Sequence, residues 1–167
     1  MKKVIIFVAV LLGVVLLYAC SAQPENVGLP NPVVEADDAS AFDELGLPIN
    51  APAGAENIQH SIIDNKIAQI QFASDGISYT YRAAHTADDI SGVYETFEEA
   101  QMVLVDAKDW TAAIEIKMIK DGTGGLASWR FDQTAFTLFT PDSVSSETLT
   151  HTAMELAEKA FAAFGVS

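Results

Sequence analysis

Cysteine and positive charge are what this chain has least of. One cysteine, Cys20, stands among 167 residues, so an intrachain disulfide is excluded, and with it any zinc centre built on several thiolates. Nine Lys/Arg face 23 Asp/Glu, giving a formal net charge of −14. Such a surface repels phosphate backbones and anionic headgroups, which argues against nucleic-acid binding and against a domain lying flat on a bilayer. Histidine is also scarce: His60, His85 and His151 fall in separate segments without metal-ligand spacing. No Ser sits in a nucleophile elbow, and Gly122-Thr123-Gly124-Gly125 lacks the Lys-Ser/Thr ending of a phosphate loop. The sequence therefore nominates no catalytic residue, no metal ligand and no cofactor, and predicts a protein that is not an enzyme.

What is present begins at the N-terminus. Lys2 and Lys3 precede a fourteen-residue apolar run, residues 4–17, and Tyr18-Ala19 leads to Cys20. A positive start, an apolar middle and a small residue before a cleavage point are the parts of an export signal. The run is short of the roughly 20 residues that span a bilayer. Leu17-Tyr18-Ala19-Cys20 resembles the lipobox of bacterial lipoproteins. The resemblance implies that the Cys20 thiol receives a diacylglyceryl group, that the lipoprotein-processing enzymes cut before it, and that Cys20 becomes the first residue. Two acyl chains, each burying methylenes at about 0.8 kcal/mol apiece, suffice for stable anchoring. The expected location is the cell membrane, lipid-anchored and facing outside the cytoplasm. Loss of residues 1–19 leaves 148 residues and, with Lys2 and Lys3 gone, a charge of −16. That length suits one domain with its own core.

Residues 21–38 are rich in Pro, Asn and acids without periodicity, so residues 20–38 read as a lipidated cysteine and flexible tether. Residues 39–167 read as a single α+β domain. A short helix is expected over 39–47, capped by Asp38 or Ser40 and stopped by Pro48 and Pro52. Period-two alternation then predicts strands at 58–63, 66–73 and 77–82, joined at Asp64-Asn65 and Ser74-Asp75-Gly76, an antiparallel meander with one buried face. Residues 85–99 break the alternation and read as a loop with a helical turn near 89–94. Further strands follow at 100–106, 111–120, 126–131 and 134–139, with a glycine-rich turn at 121–125. From Ser145 or Ser146, Leu149, Ala153, Leu156, Ala160 and Phe164 recur at helical spacing up to Gly165. One amphipathic helix after an antiparallel sheet needs the sheet's apolar face as cover, which predicts a meander packed against a C-terminal helix.

Trp129-Arg130-Phe131, the aromatic strand 136–139 and Ser146-Glu147-Thr148-Leu149 leading into the helix give an order of elements that resembles the DUF4367 family, small extracytoplasmic domains of Gram-positive lipoproteins. The resemblance runs over about residues 47–164. It implies an antiparallel sheet with a C-terminal helix, distantly similar to lipoprotein-carrier folds, and no catalytic residues. The chain departs from that pattern in its 85–99 insertion and its acidity.

The acid pairs Asp37-Asp38, Asp88-Asp89 and Glu98-Glu99 lack the alternate-position spacing of a calcium loop and read as a solvated acidic surface. The aromatics carry the remaining functional expectation. Tyr79, Tyr81, Trp129, Phe131 and Phe136 share the inward phase of their strands and are expected in the core. Phe139 and Ile119 fall out of phase, which suggests a second apolar patch on the outer face. Trp110, beside Asp109 in an expected turn, is the best exposed-aromatic candidate, and Trp110, Tyr79, Tyr81 and Phe139 are the candidate contacts for a ligand or partner. The expected function is that of a noncatalytic binding or protein-interaction module at the cell surface. A solute- or glycan-binding module using the Tyr79/Tyr81 face or Trp110 is the alternative, followed by a wall-active hydrolase.

Overall fold

The computed structural model describes residues 32–107 and 110–165, with Ala107 and Trp110 described through their backbone alone. Eight antiparallel strands form one sheet: β1 (Val33–Ala36), β2 (Glu56–Ile63), β3 (Ile67–Ser74), β4 (Ile77–His85), β5 (Gln101–Ala107), β6 (Trp110–Met118), β7 (Gly125–Phe131) and β8 (Thr134–Thr140). One helix, α1 (Ser146–Ala163), follows. The spatial order is β1-β2-β3-β4-β8-β7-β6-β5, two meanders of four strands sealed where β4 pairs with β8. The expected α+β fold, an antiparallel sheet with a C-terminal helix, is the fold observed.

Turn chemistry explains the hairpins. Asp64 and Asn65 both take positive φ, as do Asp75 and Gly76, the left-handed pair that matches the twist of a two-residue hairpin. The register that the second turn fixes puts Ile70 opposite Tyr81, and the β4·β8 pairing puts Tyr81 opposite Leu138, so the large side chains share a face. Gly124, at φ 153°, is required for a different reason. A Cβ there would stand 2.2 Å from the Thr140 carbonyl oxygen.

The inner face holds one core. Ala68, Ile70 and Phe72 of β3, Tyr79, Tyr81 and Ala83 of β4, Ile114 and Ile116 of β6, Trp129 of β7, and Phe136 and Leu138 of β8 are all buried. Helix α1 covers the β5–β7 half with Leu149, Ala153, Leu156, Ala157, Ala160 and Phe161. Its start is fixed by the Ser145 hydroxyl, which accepts from the Thr148 amide at 3.0 Å, and Gly165 follows its end at φ 78°. The other half is covered by the segment after β1: Phe42, Leu47 and Ile49 are buried, and the Phe42 ring meets His60 of β2 at 5.8 Å.

Three expectations need correction. Residues 33–36, assigned to the tether, are strand β1, paired with β2 through Val34↔Ile62 and Ala36↔His60. The expected helix at 39–47 is a 3-10 helix, Ala39–Leu45, capped by Asp38 and ended by Gly46 in the left-handed region. No helical turn forms at 89–94; the segment instead runs without regular secondary structure from β4, in the middle of the sheet, to β5 at its far edge. This crossover lies on the outer face. There Ile90 packs with Ala84 and Ala135, and Phe97 bridges to Ile119.

Candidate functional site

Polar strand residues that alternate with the core build the outer face. On β2–β4 they form a buried relay: the Gln69 amide donates to Ser61 Oγ at 3.1 Å, and Arg82 Nε donates to Gln69 Oε1 at 2.8 Å. The same guanidinium donates through Nη1 to the carbonyls of Ile90 at 3.0 Å and Ser91 at 2.6 Å. Arg82 thus fastens the crossover to the sheet. Burial draws its pKa below the usual arginine range, opposed by the nearby Asp89 charge. Gly92 belongs to this contact: at φ 63° it lets the guanidinium approach where a Cβ would stand 2.6 Å from Nη1. Arg130 makes a second fastening from β7, donating to the Thr86 carbonyl at 2.6 Å.

Held in this way, residues 87–90 form one wall of a groove of about 600 Å³ over β6, β7 and β8. Ala113, Leu126 and Ala135 contribute apolar surface to it, and Asp88, Asp89, Glu115, Lys117, Ser128 and Arg130 give it polar groups. Glu115 is already engaged, paired with Lys117 at 2.5 Å and accepting from Ser128 Oγ at 3.3 Å. Beyond Glu115 and Ala113 lie their β5 partners, Met102 and Leu104. These two are 61% and 65% exposed, although they stand in the middle of a strand. An apolar strip on the edge strand therefore lies beside the groove.

The residues proposed from sequence separate. Tyr79 and Tyr81 are buried at 3% and 1% exposure, so neither is available to a glycan or surface partner. Tyr79 stacks on Phe72, and Tyr81 lies parallel to Trp129 and Phe136 in the core. Phe139 is on the outer face, half-buried between Thr80 and Leu126, as its phase suggested. Trp110 opens β6 rather than a turn, opposite Ala107, and its side chain lies outside the described residues. Cys20 lies outside them as well. Among the described residues the fully exposed aromatic is Tyr94, 98% exposed on the crossover.

His60, His85 and His151 stay apart, on β2, at the end of β4 and on α1. His85 Nδ1 meets Thr134 Oγ1 at 2.8 Å. Among the described residues no three His, Cys, Asp or Glu side chains are grouped so as to hold a metal ion. The acids serve local structure: hydrogen bonds from Ser40 lower the Asp38 pKa, and hydrogen bonds from Thr123 lower that of Asp121. Met102 and Leu104 escaped sequence reasoning, yet a signal was there. Met102-Val103-Leu104-Val105 is apolar in both phases, where a strand with one wet face alternates.

Two core atoms stand out. Tyr81 Oη and Trp129 Nε1 are buried without a hydrogen-bond partner among the described residues.

No protein-family model matches the chain, and no curated protein or solved structure matches it. No helix among the described residues is long and apolar enough to cross a membrane.

Proposed function

We propose that this chain is a lipid-anchored extracytoplasmic binding module that engages a protein partner on the outer face of its sheet. The observation that carries the binding role is the exposed Met102–Leu104 strip beside the groove, since contiguous apolar surface on a soluble body marks an interaction site. The anchor rests on Lys2, Lys3, the apolar run and Leu17-Tyr18-Ala19-Cys20. The glycan reading loses Tyr79 and Tyr81 to the core, while Trp110, its other candidate, has its side chain outside the described residues.

Two experiments test the two halves. Metabolic labelling with a palmitate analogue is expected to mark the wild type and not Cys20→Ala; equal labelling rejects the anchor. A photo-crosslinking amino acid placed at Met102 or Leu104 in the source cells is expected to yield a discrete protein adduct that the same group at Glu158, exposed on α1, does not yield. Adducts no different from those at Glu158 reject the outer-face reading.

A further inference from the structure

The two ends of the sheet are not built alike. At one end β1 is four residues long and is preceded by Pro32, which has no amide hydrogen to offer, so a strand arriving there finds a short ladder. At the other end β5 runs for seven residues without Pro or Lys, the residues with which proteins most often blunt an edge, and its one charge, Asp106, stands near its close. It is last in the strand order, so its outward amides and carbonyls have no ladder partner among the described residues. Met102 and Leu104 beside them face solvent, and Val103 on the inner phase is only half-buried.

We propose that β5 accepts, by strand addition, an extended segment of a partner protein that is apolar in its middle and basic at both ends. This rests on the binding role proposed above and gives its partner a chemistry. Backbone groups of the added strand would complete the ladder, and its alternate side chains would cover Met102 and Leu104 on one phase and meet Val103 on the other. Charge selects the ends: Glu98 and Glu99 are exposed just before β5 and Asp106 is exposed near its close. A second copy of this chain is the wrong occupant. Antiparallel pairing of β5 with itself would bring together two bodies that each carry a formal charge of −16 once residues 1–19 are removed.

The test uses the full chain in nanodiscs and a nine-residue peptide with two lysines at each end and alternating valine and threonine between. At a peptide concentration about ten times its Kd, amide exchange in β5 is expected to slow roughly tenfold. The same peptide N-methylated at each of its five central residues, which keeps the side chains and removes strand donors from both edges, is expected to give no protection. A glutamate-ended version is expected to bind at least roughly tenfold more weakly. Leu104→Lys, at an exposed position that the core does not need, is expected to abolish the protection by guarding the edge. The proposal is overturned if no peptide protects β5, if the N-methylated or glutamate-ended peptide protects it equally, if protection falls on β1, if Leu104→Lys binds unchanged, or if sedimentation shows a dimer with β5 already protected. Crosslinking from Met102 or Leu104 without peptide protection would leave the outer-face reading standing and remove strand addition alone.

Discussion

Replacing Tyr81 with Phe removes a hydroxyl that is buried in the aromatic core without a partner among the described residues. A buried hydroxyl left unpaired costs about 1–3 kcal/mol in protein mutational series, and the dispersion attraction of its oxygen, which phenylalanine forgoes, offsets part of that. The variant is therefore expected to be more stable at pH 7 by about 1 kcal/mol, or roughly 3–4 °C in Tm for a domain of this size. Alkali should widen the difference. Burial raises the Tyr81 pKa well above its ordinary value of 10.0, so above pH 10 the unfolded chain releases a proton that the folded chain keeps. The stability that depends on this proton is whole below pH 10 and is lost as pH rises above it, with a slope approaching about 1.4 kcal/mol per unit. At pH 11 the variant should lead by about 2 kcal/mol, while Tyr79, also raised by burial, is present in both proteins and cancels. Urea unfolding at pH 7 and pH 11 measures both numbers. A variant less stable than wild type at pH 7, or a difference that does not grow with pH, would refute the reasoning and indicate that the hydroxyl is hydrogen-bonded.

Gly92→Ala forces a Cβ against the Arg82 guanidinium at a left-handed φ, and is expected to cost about 1–3 kcal/mol and to raise proteolysis within residues 86–99, read by limited digestion and mass spectrometry. Arg82→Met strips donors from the Gln69 side chain and two crossover carbonyls, and should release the same segment to hydrogen exchange while the amides of β3 stay protected. Gly124→Ala, which drives a methyl into the Thr140 carbonyl, is expected to destabilise by more than about 3 kcal/mol in urea unfolding, far beyond Gly122→Ala, whose Cβ meets nothing. Ser145→Ala removes the α1 cap and should cost about 1 kcal/mol by the same measure.

Period and punctuation make most of the elements readable. Alternation in 66–73 and 77–82, interrupted by Asp-Asn and Asp-Gly, has one physical solution, two hairpins with a common buried face. Ser145, the three-to-four spacing from Leu149 to Phe164, and Gly165 likewise delimit a helix by its caps. Strand β1 is hidden because all its residues are exposed or half-exposed, and an edge strand without a buried phase leaves no pattern. Adjacency of β4 and β8 is equally hidden. Local sequence records the pairing of neighbours in the chain, whereas Tyr81 and Leu138 meet only through the summed packing of two meanders. The site suffers from this most: the groove exists because the crossover returns over strands distant in sequence, so its wall and floor carry no shared motif. Tyr79 and Tyr81 have the right chemistry for a binding platform and lie on the wrong face, since an amphipathic ring serves a core as well as a surface.

The β4·β8 seam sets an order of events for folding. Each meander closes through hairpins between neighbouring strands, but the seam joins residues such as His85 and Thr134, so it bears the largest loop-closure cost in the sheet. Ile90 rests on Ala84 from one meander and Ala135 from the other. Its seat is therefore absent until the seam has formed, and the crossover is expected to settle only after it. In kinetic terms the 86–99 segment is a built-in reporter: its protection from exchange should appear only after the two halves have joined, and should be the first to vanish when they part.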